Sequence, residues 1–314
     1  MTKTRGPARG RAAARQSRSA RRPEQAGAAA VQPTYAPVEP KPAHDDHTRG
    51  TIVLIGGAED RTGDRVVLRE VASRAGQGTL VVATVATAHP QRAWRAYRRV
   101  FHDLGVRTIR HLHVPDRAVA LGQKASELLA DAKVVFFTGG DQVRITSVIG
   151  GTPLCDQIMR GFRRGATIAG TSAGASVMSE MMLVPGDRFE SHTVRDSLAM
   201  APGLGLVADM IIDQHFAARG RLSRLMGAVA QNPRALGVGV DEDTAFVIHH
   251  GHCQVVGAGA VYIVDANASS SSNLSEADAD KTMSLFDVRL HVLSSTDTFD
   301  LKARRPGRRG PQLP

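Results

Sequence analysis

From Thr51 onward the chain alternates short β-branched runs with amphipathic stretches, and this alternation restricts the fold more than any other feature of its 314 residues. Residues 51–55 read as a strand ending in Gly56-Gly57, residues 64–75 have helical apolar spacing, and residues 79–85 read as the next strand. The same reading predicts a helix over 90–104, a strand over 107–114, a helix over 118–130 and a strand over 133–137 that runs into Thr138-Gly139-Gly140. Asp141 then caps a helix, and a further helix over 153–164 precedes a strand at 166–169 and a helix starting at Ser172. Strands joined by helical crossovers pair in parallel, and a parallel sheet needs both faces covered. Ligands of such folds bind beyond the carboxyl ends of the strands. Residues 236–264 carry strands and glycines without helices, which predicts an antiparallel extension. Residues 269–272 read as a flexible loop and 283–293 as a final strand, and no internal repeat is present.

A hydrophobic content of 42%, with no apolar run near the ~18 residues a membrane span needs, describes a chain that buries a core in water and has no membrane partner. The formal charge of +10 sits at the ends. Residues 1–49 hold ten Lys/Arg against four Asp/Glu and residues 301–314 hold five against none, so the part between is close to neutral. A nucleic-acid enzyme carries its basic patch beside the site that uses it, so nucleic acid is not expected as a partner. Three regions follow: a disordered basic arm over 1–49, a catalytic domain over 50–301 and a disordered basic tail over 302–314. Arg21-Arg22 has no apolar stretch after it to make an export signal, and the arm lacks the amphipathic stripe of an organellar transit peptide, so a cytoplasmic location is expected. Cys155 and Cys253 are too few for a disulfide framework and have no zinc-site neighbours, which leaves reduced, buried thiols.

Gly170-Thr171-Ser172-Ala173-Gly174 matches the G-x-S-x-G nucleophile elbow, in which small residues let a strand turn sharply into a helix with the serine exposed. The strand before it and the helix-forming Ala175-Ser176-Val177-Met178 after it supply that context. The Ala173 N–H is one expected oxyanion donor, and the second is expected from the Gly139-Gly140 turn, at Gly140. Among twelve histidines, His215 ends the apolar run 210–215 downstream of the elbow and is the expected base. The orienting acid is expected after the run 237–240, where Asp241, Glu242 and Asp243 stand together, with Glu242 favoured and its neighbours left open. The order serine, histidine, acid differs from that of the α/β-hydrolases.

With Gly56-Gly57-Ala58-Glu59, Phe137-Thr138-Gly139-Gly140-Asp141-Gln142, Asp213-Gln214-His215-Phe216 and Gly239-Val240-Asp241-Glu242-Asp243-Thr244-Ala245, the elbow makes a set, in order, that resembles the cyanophycinases of peptidase family S51. The resemblance runs from about Thr51 to Leu301. It implies a flavodoxin-like, class I glutamine-amidotransferase-like three-layer αβα sandwich, often dimeric, so a homodimer is expected. It implies a triad of Ser172, His215 and Glu242, with no cofactor and no metal. The implied substrate is cyanophycin, a poly-aspartate whose side-chain carboxyls are amidated by arginine, cleaved along its backbone to β-aspartyl-arginine. Gln142, Asp213, Gln214, Arg219, Arg221 and Arg224 are then the expected substrate contacts, the arginines clamping carboxylates and the acids, with Asp141 and Glu59 as further candidates, holding guanidinium groups. The competing reading of the arginines is a solvated helix face. Two rival functions are a dipeptidase of the same family acting on α-aspartyl peptides and a non-catalytic binding protein on the same scaffold.

Overall fold

Five short strands form the parallel part of the sheet in the computed structural model, which describes residues 50–184, 198–274 and 282–308; four are largely apolar and buried, and the fifth, at the sheet edge, carries Arg110 and His111. They are β1 (Thr51–Ile55), β2 (Thr79–Ala83), β3 (Thr108–Leu112), β4 (Ala132–Phe137) and β5 (Thr167–Thr171). Between and after them lie α1 (Val66–Ala75), α2 (Pro90–Asp103), α3 (Arg117–Leu121), α4 (Gln123–Glu127), α5 (Gln142–Ile149), α6 (Pro153–Arg163) and α7 (Ala173–Ser176). Helix starts are chemically marked: Pro90 and Pro153 stand in first turns, and the Asp141 carboxylate accepts from the Val143 and Arg144 amides. The second half supplies β6 (Met181–Leu183), β7 (Met200–Pro202), β8 (Met210–Gln214), α8 (Leu222–Gln231), β9 (Leu236–Val240), β10 (Thr244–His249), β11 (His252–Gly257) and β12 (Val261–Asp265). The last strands are β13 (Arg289–Leu293), β14 (Thr298–Asp300) and β15 (Arg305–Gly307).

The main sheet has nine strands in the order β15-β14-β11-β10-β1-β5-β4-β2-β3. Its parallel half runs from β1 to β3, and β10 joins β1 antiparallel in the register Val53↔Val247. Helices cover both faces, as a flavodoxin-like αβα sandwich requires. On one side Val67, Leu68, Val71, Tyr97 and Phe101 from α1 and α2 pack on Val53, Ile55, Val82 and Phe136. On the other, Ile145, Ile149, Leu154 and Ile158 from α5 and α6 pack on Leu54, Val81, Val135 and Ile168. Each such side chain, fully buried, contributes about 1.5–3 kcal/mol relative to exposure.

Several expectations shift. The helix expected over 118–130 is two short helices, because Gly122 between them is extended at φ −76°, ψ 147°. β8 and β9 pair in parallel, but in a separate four-stranded sheet of order β13-β12-β9-β8 rather than in the main one. β6 and β7 form a ribbon that periodicity did not reveal, each being only three residues long. The strand expected over 283–293 is confined to β13 and is not the last. Residues 302–308, expected within a disordered tail, carry β15 instead: Phe299 and Leu301 anchor the segment in the core, and Arg304 pairs with Asp265 at 2.7 Å. The arm over 1–49 and residues 309–314 lie outside the described residues. Cys155 and Cys253 are free and buried. Among the described residues no helix is long and apolar enough to cross a membrane.

Candidate active site

Ser172 stands where β5 gives way to α7, with φ 53° and ψ −115°. A side chain at positive φ is strained, and here the surroundings impose it. The Ser172 N–H donates to the Ile55 carbonyl at 2.9 Å, which ties the turn to the end of β1. Both motif glycines are forced by close approach. A Cβ on Gly170 would meet the Gly174 carbonyl oxygen at 2.2 Å, and one on Gly174 would meet the Phe137 carbonyl oxygen at 2.5 Å.

His215 follows the last residue of β8, and its own N–H donates to the Gly56 carbonyl at 2.8 Å, so the two sheets meet at this residue. Its Nε2 lies 3.0 Å from Ser172 Oγ and its Nδ1 2.6 Å from Glu242 Oε1. The ring occupies the space left by Gly57, where a Cβ would stand 2.4 Å from Cε1. With Nδ1–H donating to Glu242, Nε2 is left to accept the serine proton. The neighbouring acids have other duties: Asp241 accepts from the Ala217 and Ala260 amides, and Asp243 from the Asp60 amide. Glu242 is therefore the acid that reaches the imidazole, although 43% of its side chain is exposed.

The glycine turn after β4 comes alongside the nucleophile. A Cβ on Gly139 would be 3.3 Å from Ser172 Cβ, whereas Gly140 abuts the Ala86 carbonyl. The amide joining these glycines belongs to Gly140 and directly follows Gly139, the residue beside the serine.

The remaining expected contacts divide. Gln142 is buried, and its amide donates to the Leu183 carbonyl, so it braces β6 from inside α5. Asp141 is committed to capping the same helix. Asp213 is fully buried at the end of β8, and Arg221 and Arg224 converge on its Oδ1 at 2.9 and 3.2 Å. Burial pushes the Asp213 carboxyl up against the opposing pull of Arg224 and Arg221, and it lowers Arg221. Arg221 also donates to the Gln214 backbone and side-chain oxygens. These two arginines are thus packed on an acid rather than displayed as a solvated face. Among the described residues, the buried Asp213 Oδ2 and the Nε atoms of Arg221 and Arg224 find no hydrogen-bond partner. Arg219 is exposed in the turn Ala217–Arg219 that follows His215.

A cavity of about 370 Å³ opens directly onto Ser172, and its wall joins motif residues to Arg61, His89, Arg92, Ala93, Ala96 and Tyr97, which no motif announced. Ala58, Glu59 and Arg61 come from the loop after β1, His89, Arg92, Ala93, Ala96 and Tyr97 from α2 and its approach, and Thr138, Gly139 and Thr171 from the strand ends. Glu59 belonged to a motif, but its three donors are scattered in sequence: Arg61, Tyr97 and Thr171. Among the described residues no group of three or more His, Cys, Asp or Glu side chains is arranged to hold a metal ion.

A mostly parallel αβα sheet with a serine elbow hydrogen-bonded through histidine to a carboxylate defines a serine-type hydrolase. More particularly, the chain belongs to peptidase family S51, whose profile matches residues 52–256. The cyanophycinase of Synechococcus elongatus is 37% identical over 266 residues, covering 83% of this chain and 82% of its own length. The cyanophycinase of Nostoc sp. is 37% identical over 261 residues, covering 82% and 87%. That of Geminocystis herdmanii is 34% identical over 264 residues, covering 83% and 97%. In fold, the chain resembles the crystal structure of a peptidase from an acI-B1 actinobacterium, with a TM-score of 0.61 and 22% identity over 81% of this chain and 98% of that one.

Proposed function

We propose that the chain hydrolyses the poly-aspartate backbone of cyanophycin and releases β-aspartyl-arginine, with Ser172, His215 and Glu242 as its triad. The observation that carries the proposal is the hydrogen-bonded chain from Ser172 Oγ through His215 to Glu242, in a sequence 37% identical to cyanophycinases over four-fifths of its length. Ser172 Oγ attacks the scissile carbonyl as Nε2 takes its proton, and Glu242 balances the imidazolium. The oxyanion sits between the Ala173 N–H and the amide joining Gly139 to Gly140, so Gly140 supplies the second donor. His215 returns the proton to the leaving amine, and water then releases the acyl group by the same route.

Arg219, Arg221 and Arg224, with Asp213 and Gln214, take the β-aspartyl-arginine unit. The orphaned Nε and Oδ2 atoms support this, since a buried polar atom without a partner is costly until a ligand pairs it. Gln142 acts from behind, by holding β6. The enzyme works in the cytoplasm as a homodimer.

Purified protein given insoluble cyanophycin should dissolve it and yield β-aspartyl-arginine by mass spectrometry, while casein stays intact. An unbranched α-peptide leaves the branch-binding groups unpaired, a defect worth several powers of ten in specificity. Free arginine among the products would move the scissile bond to the side chain. Digestion of casein with cyanophycin untouched would leave a serine peptidase of another specificity.

A further inference from the structure

The cavity in front of Ser172 is lined by none of Gln142, Asp213, Gln214, Arg219, Arg221 or Arg224, so its contents meet a different set of side chains from those gathered around Asp213. Its chemistry is governed by Glu59, whose side chain has no accessible surface. Oε1 accepts the Tyr97 hydroxyl at 2.5 Å and Arg61 at 3.2 Å, and Oε2 accepts the Thr171 hydroxyl at 2.6 Å. Both oxygens are therefore engaged from within, which leaves Glu59 unable to meet a substrate guanidinium.

Arg61 lies between this acid and the opening. Its Cζ sits 4.7 Å from the Tyr97 ring centroid, and 44% of its side chain remains exposed. Burial works against its charge, but its contacts with Tyr97 and with the Glu59 carboxylate outweigh that effect and raise its basicity, so the group stays cationic. Arg92, in the first turn of α2, is exposed, and among the described residues no carboxylate pairs with it. The cavity thus presents two guanidiniums to its contents and hides its one carboxylate. Such a lining receives an anion, and planar guanidiniums favour a carboxylate.

We infer that Arg61 and Arg92 bind the α-carboxylate of the arginyl branch on a polymer unit adjoining the scissile bond, a different unit from the one held by Arg221 and Arg224. Glu59 is a positioning residue in this arrangement: it holds Arg61 on Tyr97 and, through Thr171, fixes that wall to the residue preceding the nucleophile. The inference rests on the proposed cyanophycin-hydrolysing function and adds to it which groups read a second branch, and by which end.

The test uses the full-length chain and soluble β-aspartyl-arginine oligomers, in one form with free branch carboxylates and in another with argininamide on the unit next to the scissile bond. For the unaltered chain, amidation should lower kcat/KM about 10–100-fold, as expected for losing charge-assisted hydrogen bonds. Arg61→Gln and Arg92→Gln should each lower kcat/KM on the carboxylate form, mainly through KM, and lose little more on the amide form. Arg61→Lys should recover part of the loss. Glu59→Gln should raise KM while fluorophosphonate labels Ser172 at close to the normal rate, because the elbow keeps its Thr171 hydrogen bond. Arg99→Gln, on an exposed part of α2, should change nothing. Equal losses on both substrate forms, or no loss in the arginine variants, overturns the assignment while leaving the proposed function standing. Failure of the unaltered chain to cut any β-aspartyl-arginine oligomer, with Ser172 still labelled, overturns the proposed function and this subsite with it.

Discussion

Ser172 is held at positive φ by neighbours that leave no room for side chains on either flanking glycine, and the strain aims Oγ at His215. Ser172→Ala keeps that backbone and removes only the attacking oxygen. It should unfold at the same temperature as the unaltered chain yet lose about 10⁶-fold in kcat, and His215→Ala should fall nearly as far, since triad members act as a unit. Retention of most activity by either would remove the mechanism. Glu242→Gln should lose less, about 10²–10⁴-fold, because the acid orients and balances the imidazole without reacting. Asp241→Asn and Asp243→Asn make the informative contrast. Their carboxylates hold backbone amides around the loop, so the expected effect is on melting temperature rather than on catalysis. Steady-state rates beside calorimetry separate the two. Of the three adjacent acids, spacing alone could not choose, because at the end of a strand the loop decides which carboxylate turns back. Ser172 and His215 were legible because the elbow is a local motif and a strand end limits the base.

The elements that build the cavity in front of Ser172 were not legible in the same way. Tyr97 and Arg92 lie on one helix and Arg61 on a loop about thirty residues earlier, and only the packing of α2 over β2 and β3, with Tyr97 against Phe136 of β4, makes them neighbours of Ser172. Gln142 misled for the opposite reason: a polar residue after a glycine turn reads as a site residue, whereas the first turn of α5 points it into the core. The parallel half of the sheet was readable because its strands are short runs rich in β-branched and apolar residues separated by helical spacing, and even the edge strand β3, with Arg110 and His111, stands between two such helices. β8 also read as a strand end beside the elbow and β9 as part of an antiparallel extension, but the two pair in parallel in a sheet of their own, and apolarity does not tell which sheet a strand joins. The loop after β1 gives an element-scale prediction. The amides of Gly63, Arg65 and Thr62 all donate to Asp60, and they hold its carboxyl down at about 2. A depressed folded value means that the stabilisation is complete above the unfolded carboxylate range near 3.9 and is lost as pH falls through about 2. Asp60→Asn should therefore melt below the unaltered chain at pH 7, and the gap should close on acidification across that window. A gap that persists unchanged at pH 2 would show that the carboxylate's charge contributes nothing.

At the scale of the whole molecule, charge and function are set apart. Every group assigned to the reaction lies between Gly57 and Glu242, in a region close to neutral, while the basic residues that give the +10 total gather at the two ends. A basic end attracts polyanions, but cyanophycin is not one: each unit carries one carboxylate and one guanidinium, so the polymer is neutral overall near pH 7. Long-range steering therefore has little to act on, and recognition must come from short-range pairing inside the site, which mobile salt screens weakly. Two outcomes follow for a chain lacking residues 1–49. Its kcat/KM on a short soluble β-aspartyl-arginine oligomer should stay within about two-fold of the full-length value, since no group assigned to the reaction belongs to the arm and chain termini tolerate removal. Raising salt from about 0.05 to 0.5 M, which shortens the screening length well below 10 Å, should leave both chains nearly equally active on that oligomer. A drop of ten-fold or more on truncation would mean that the arm completes the site. A steep salt dependence present in the full-length chain and absent in the truncated one would mean that the arm steers the substrate after all.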